Sequence, residues 1–372
     1  MIKNHSFIFA AASLAMLAGA DTAFSQGFGI GDIAVLRVGD GTQTIANTGN
    51  SIFIDDYTTA GVLSHSYAIP NSGASSLISS GTATSEGALS RSADGRSLFF
   101  AGYNTTLPFA TSLPASTSTT VPRGFGSVNA SGTYVFGGST TTQFSANNIR
   151  SAVSDGQNNI WLAGATGGTY YFGNNGAAAT VQSSIANTRV LNIENGNLYF
   201  STGSGTRGIY GFAGAPTTTT APTLLIGTGG SSSPYDFAIN DTGTIAYVAD
   251  DRPYNATTPN SGGGVERWEL VAGVWNLIYT LRPEATGTGG ARSLAVDFSG
   301  ASPVLYGDTS ETTGNQVFSL TDTGSGSVAN TLATAPSTEA FRGVDVAPVP
   351  EPGTWAIMGC GALGMLFFRR KK

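Results

Sequence analysis

The stretch Pro234–Asp250, PYDFAINDTGTIAYVAD, reads as a β-hairpin: a short alternating run, a turn cluster at Asn240-Asp241-Thr242-Gly243, and a second run carrying an aromatic. The same plan recurs as LSRSADGRSLFFAGY from Leu89, RGFGSVNASGTYVFGG from Arg123, IRSAVSDGQNNIWLAG from Ile149, TRVLNIENGNLYFSTG from Thr188 and ARSLAVDFSGASPVLYGD from Ala291. GIYGFAG from Gly208, VERWEL from Val265 and QVFSLTD from Gln316 add a third strand to their units. Three or four strands per repeated unit make a propeller blade, and the body has no long segment of 3.6-residue period. The sequence therefore predicts an all-β propeller over residues 26–347. A right-handed β-solenoid or two packed sandwiches compete with it less well, because the repeat spacing drifts more than solenoid rungs allow.

The ends of the body are complementary in pattern. FRGVDVAP from Phe341 is half a unit, whereas IAVLRVG from Ile33, SIFIDDY from Ser51 and VLSHSYAIP from Val62 lack a first strand. Joined, they complete one blade and remove the open edges that invite aggregation. Counting that shared blade gives seven; the short Arg123-to-Arg150 spacing leaves six open.

Outside the body lie two signals. Lys3 precedes an apolar run from Phe7 to Leu17 and small residues at Ala18-Gly19-Ala20 and Ala23–Ser25, the layout of a signal peptide over residues 1–25 that feeds the Sec export machinery. At the other end, residues 348–372 hold Val349, Pro350, Glu351 and Pro352, an apolar run from Trp355 through Phe367 and Phe368, and the cations Arg369, Arg370, Lys371 and Lys372. The apolar run makes a helix of about 21 Å against a hydrocarbon core of about 30 Å, so it spans as a single transmembrane helix only if the arginines snorkel. The basic cluster holds that end in the cytoplasm and leaves the body outside. Gly359, Gly361 and Gly364 spell a dinucleotide fingerprint, but no βαβ unit surrounds them, so they read as helix-packing glycines.

The order of Pro-Glu-Pro, short membrane helix and basic cluster resembles the PEP-CTERM sorting domain of exported bacterial proteins. The resemblance implies recognition by an exosortase, cleavage near Pro350, Glu351 and Pro352, transient residence in the inner membrane, and a final place on the surface or in the exopolysaccharide matrix (biofilm) of a Gram-negative cell. The body more loosely resembles exported propeller-like repeat proteins, some with the same tail, and that likeness names no activity.

Composition narrows the chemistry. Between Gly27 and Val349 there are 12 Arg, no Lys and 21 Asp plus Glu, an acidic surface that argues against nucleic acid as a partner. The single cysteine, Cys360, is in the tail, and His65 is the one histidine left after export. No disulfide framework and no ordinary zinc or copper site follows, and no cofactor is called for. His65 has no nucleophile elbow to serve, so a Ser-His-Asp hydrolase is not supported.

Arginine recurs near the start of most units, at Arg91, Arg123, Arg150, Arg189, Arg292 and Arg342. These suggest either a guanidinium ring at the channel mouth, suited to an anionic sugar or carboxylate, or braces between neighbouring blades. Asp55, Asp56, Glu86, Asp250, Asp251 and Glu311 lie at strand ends or in loops, where two carboxyls would serve a glycosidase or lyase. The pairs Asp55-Asp56 and Asp250-Asp251 could also hold calcium, but stand outside any EF-hand register. PASTSTTVP from Pro114 and APTTTTAP from Ala215 read as flexible loops. The expected function is non-enzymatic binding or structure at the cell surface or in the extracellular matrix, toward exopolysaccharide or surface partners; the alternative is an extracellular carboxylate-dependent glycosidase or lyase. Mass spectrometry of the fractionated mature protein should find a C-terminus near Pro352 outside the cell. An end at Lys372 in the inner membrane would instead make the chain a tail-anchored periplasmic protein.

Overall fold

Strands form where the alternating runs stand. In a computed structural model, which describes residues 27–173, 178–285 and 287–350, β1 (Ile33–Val38), β2 (Ile52–Tyr57) and β3 (Leu63–Ala68) make one antiparallel sheet. The next sheet is β4 (Leu89–Arg91), β5 (Ser97–Tyr103), β6 (Arg123–Asn129) and β7 (Tyr134–Thr140). It is followed by β8 (Ile149–Ser154), β9 (Ile160–Gly164), β10 (Thr169–Phe172) and β11 (Ala178–Gln182). The fourth is β12 (Thr188–Glu194), β13 (Asn197–Thr202), β14 (Gly208–Gly211) and β15 (Thr223–Gly227). The fifth is β16 (Pro234–Ile239), β17 (Ile245–Asp250), β18 (Gly264–Val271) and β19 (Val274–Leu281). The sixth is β20 (Ala291–Asp297), β21 (Val304–Thr309), β22 (Gln316–Thr321) and β23 (Asn330–Thr334), after which β24 (Ala340–Val346) returns to pair with β1. The order β24-β1-β2-β3 completes the first blade from both ends of the body, as the half-units predict.

The described residues thus form a six-bladed all-β propeller, not the favoured seven. The units from Leu89 and Arg123 are the inner and outer hairpins of one blade, because β5 pairs with β6 in register from Ser97↔Asn129 to Tyr103↔Arg123. Both hairpins carry the same alternation and turn chemistry, and the loop of residues 104–122 between them gives the outer hairpin the appearance of a new unit. The segment expected to be a signal peptide and the tail from Glu351 onward, with its expected membrane helix, lie outside the described residues. Among those described, no helix is long and apolar enough to cross a membrane.

Burial is arranged between blades. Leu36 and Ile54 of blade 1 pack on Leu89, Leu98 and Phe100 of blade 2, and five further clusters repeat this around the ring, ending with Val317 of blade 6 against Val35 and Val344 of blade 1. The innermost strands β4, β8, β12, β16, β20 and β24 touch their neighbours about the axis. Gly343 permits the closest approach, since a Cβ there would lie 2.5 Å from the Gly87 carbonyl oxygen and 2.6 Å from the Leu89 nitrogen.

Two tracts read as flexible are instead held down. The Arg123 guanidinium donates to the carbonyls of Val121, Ser116, Pro114 and Asn147, and the Trp161 indole donates to Pro216 at 2.7 Å. A Thr- and Ser-rich loop orders when buried donors from the body satisfy its carbonyls.

The ring closure has one charged clasp. Arg37, at the bulge in the β1–β24 register, donates to Asp55 on β2 at 2.6 Å and to Glu339 just before β24 at 2.9 Å. The Asp55 side chain is fully buried, so removing Arg37 strands a charge without its partner. Arg37→Leu should lower unfolding free energy by about 3 kcal/mol in chemical denaturation. A loss below about 1 kcal/mol would mean that apolar packing alone closes the ring.

Candidate functional site

The six inner strands place their first residues at one end of the axis and their last residues at the other. At the first end, Glu86, Tyr235, Asp236, Arg292 and Arg342 line a cavity of about 10 Å³. At the second, the ends of the inner strands and the loops after them enclose a funnel of about 750 Å³.

Four of the six sequence-predicted arginines gather near the narrow end. Arg150, Arg189, Arg292 and Arg342 start or nearly start β8, β12, β20 and β24. The Arg189 guanidinium lies 3.9 Å and that of Arg292 5.4 Å from the centre of the Tyr235 ring, which holds the corresponding place on β16. Each also braces: Arg150 donates to Thr188 O, Arg189 to Pro234 O, Arg292 to Asp251 at 3.3 Å, and Arg342 to Gly81 O and Thr312 O. Burial, with the like charge of Arg189, lowers Arg150 to about 10, and burial with the charge of Arg292 does the same to Arg342. The other two arginines sit elsewhere. Arg91 ends β4 and lines the funnel, and Arg123 is off the axis on β6, spent on loop carbonyls.

The funnel is acidic. Asp32, Glu194, Asp241, Asp297 and Asp345 line it against the single cation Arg91, together with Asn192 and the rings of Phe237, Phe298 and Tyr306. Asp345 accepts from the Arg91 N–H at 2.6 Å and the Val346 N–H at 2.7 Å, yet burial pushes it up to about 6. The Glu194 carboxyl has no hydrogen bond to any described residue, and burial plus the charges of Asp345, Asp236 and Asp241 push it up to about 8. A carboxyl that is free, half-buried and proton-bearing near neutrality faces a space large enough for a few sugar rings. Sequence reasoning missed Glu194, Asp236 and Asp345 because each stands alone in its repeat; the shared signal was a carboxyl or amide within an inner strand, beyond its first two residues.

The carboxylates singled out by sequence are engaged elsewhere in the structure, although Asp56 Oδ1 and Glu311 Oε2 are buried without a partner among the described residues. Asp55 holds Arg37, Asp56 accepts from the Gly29 N–H, and Glu86 accepts from Tyr103, Asn148 and Ser80. Asp250 is bound by Arg252 at 2.8 Å and by the Ser233 N–H, Asp251 by Arg292, and Glu311 raises its hydrogen-bonded neighbour Glu284. The calcium candidates Asp250 and Asp251 thus face different arginines, and among the described residues no group of three or more His, Cys, Asp or Glu side chains is placed to hold a metal. His65 lies on the outer strand β3, 6.0 Å from the Tyr67 ring.

The chain leaves the propeller at the funnel. After β24 the Ala347 N–H donates to Asp32 O and the Val349 N–H to Gly95 O, both at 2.9 Å, and Val349 forms part of the funnel wall. Pro350 is the last described residue; Glu351, Pro352, Trp355, Phe367, Phe368, Arg369, Arg370, Lys371 and Lys372 lie outside the described residues.

Among solved structures, a chain of a nidogen/laminin complex is similar over 85% of this chain and 98% of its own, at 11% identity and a TM-score of 0.51. That likeness shows the propeller fold alone. A periplasmic gluconolactonase from Pseudomonas aeruginosa (14% identity, 81% of this chain and 82% of that one, TM-score 0.45) is a more distant shape neighbour. So is a gluconolactonase from Xanthomonas campestris (12% identity, 84% and 90%, TM-score 0.45), and neither value carries an activity across. No curated protein matches the sequence. The PEP-CTERM protein-sorting motif matches residues 348–371, beginning where the chain runs along the funnel rim, and the chain is accordingly a six-bladed β-propeller carrying a PEP-CTERM sorting motif.

Proposed function

We propose that this exported propeller is a non-enzymatic binder of exopolysaccharide, taking a neutral, hydroxyl-rich glycan segment in its funnel. The sorting motif implies an exported, cell-surface-directed protein processed by an exosortase. The observation that carries the binding reading is the funnel itself: about 750 Å³ lined by carboxyls, Asn192 and aromatic rings, with Glu194 left without a partner. Carboxyl and amide oxygens accept from sugar hydroxyls, and ring faces cover the apolar faces of pyranoses. Five carboxyls against one arginine disfavour a uronic acid there. An anionic sugar at the arginine end is disfavoured by size, because about 10 Å³ admits no sugar ring.

Titration calorimetry should give saturable binding to a neutral glucan, none to alginate, and no product. Glu194→Ala should weaken the glucan about tenfold, the loss of roughly one hydrogen bond. Preference for alginate, or equal binding by the variant, would remove the funnel from the reading.

A second reading rests on the same wall. At pH 7 Glu194, at about 8, holds its proton while Asp345, at about 6, is mostly ionised, the split that general acid and base need. A glycosidase or lyase reading therefore assigns Glu194 as acid and Asp345 as base. Glu194→Gln would then abolish product release while leaving binding intact. Both carboxyls are raised above their unfolded values, so the folded state holds extra protons and stability falls as pH rises from about 4 through 8. Glu194→Gln should flatten that decline and gain about 1–3 kcal/mol at pH 9 in urea melts; an unchanged pH profile would mean that Glu194 is not proton-loaded.

A further inference from the structure

We propose that the closed, arginine-lined end of the axis is a binding site for one small monovalent anion of the halide class. It is distinct from the glycan funnel and lies at the opposite end of the same channel.

The first support is a set of donors without acceptors. The Nε groups of Arg150, Arg189, Arg292 and Arg342, and Nη1 of Arg292, are buried and have no hydrogen-bond partner among the described residues. Arg292 and Arg342 are only 6% and 2% exposed, and both line the small cavity. Buried charged N–H groups left unpaired are costly, and native proteins seldom retain several together.

Charge is the second. The four guanidinium groups share the surroundings of one tyrosine, Tyr235, and their like charges act on one another across the axis. Nearby carboxyls do not take up the free donors. Glu86 accepts from Ser79, Ser80, Tyr103 and Asn148; Asp236 accepts from Leu294, Phe237 and Asn192; Asp308 is bound by Ser293 and Asn315. Asp251 reaches only Nη2 of Arg292. Burial raises Asp236 well above the usual carboxylate range and Glu86 to about 7, which reduces, without abolishing, the negative charge that faces an anion at neutral pH.

Size is the third. The cavity holds about 10 Å³, room for a single atom-sized guest and not for a carboxylate on a sugar. Every blade brings a residue to it or to its charges: Arg342, Arg150, Arg189, Tyr235 and Arg292 from the inner strands of blades 1, 3, 4, 5 and 6, and Glu86 from the lead-in to blade 2. An anion seated there ties the ring at its centre.

The test uses the full chain. Crystals grown in bromide should show an anomalous peak beside Arg292 and Arg342. Melting temperature should rise by about 2–4 °C when methanesulfonate is exchanged for chloride at constant ionic strength. Arg292→Gln should abolish both, and Arg342→Gln serves if the first variant fails to fold. No bromide peak together with equal melting in the two salts for the unaltered protein would mean that water fills the cavity, and the proposal falls.

Discussion

An innermost propeller strand has a partner on one side only, and everything along the axis of this molecule answers that constraint. The edge of each inner strand offers backbone N–H and C=O groups to a space too narrow for bulk water. Side chains from other blades must meet them. Ser90 Oγ donates to Leu191 O and Ser151 Oγ accepts from Leu191 N–H; Asp236 accepts from Leu294 N–H on the next blade while Asn192 on the previous one donates to it; Asp345 accepts from Arg91 N–H. Asn315 does the same work at the closure, donating to and accepting from Phe341. The ring is therefore held by two systems: apolar clusters between the blade faces, and a polar lacing around the axis.

The lacing also makes the channel polar. Carboxyls accept from N–H groups and arginines donate to carbonyls, so the kind of backbone group left open at each level selects the charge that settles there. Arginines collect where the inner strands begin and carboxyls toward where they end. The result is a graded axis, cationic and closed at one end, anionic and open at the other, built from a body that contains no lysine. The acidic funnel is thus partly a by-product of bracing, and Glu194 stands apart from it because it braces nothing.

Hairpins, the all-β class and the shared blade were legible because period-2 alternation and turn residues act locally and leave a direct trace. Blade number was not, since the Arg123 hairpin differs from an inner hairpin only in what lies beside it. Position along the axis was equally hidden. Arg91 and Arg150 have similar places in their repeats, yet Arg91 stands closer to its turn at Asp94 than Arg150 does to Asp155, and Arg91 emerges at the opposite end. Adjacency misled the choice of carboxylates: Asp55, Asp250 and Asp251 stand out in sequence and are paired with arginines in space, and Asp56 is tied to the Gly29 N–H, whereas Glu194 is unremarkable in sequence. The Pro114 and Ala215 tracts were misjudged because their order comes from buried donors outside them, Arg123 immediately after the first and Trp161 far from the second in sequence.

The closing strand ends at Val346 and the sorting motif begins at residue 348. The final structural piece and the sorting motif therefore leave the ribosome almost together. A product broken off anywhere upstream of β24 has an unsealed first blade and carries no label. Only chains complete enough to close the ring carry the motif, so the order of elements along the sequence ties the label to a finished fold.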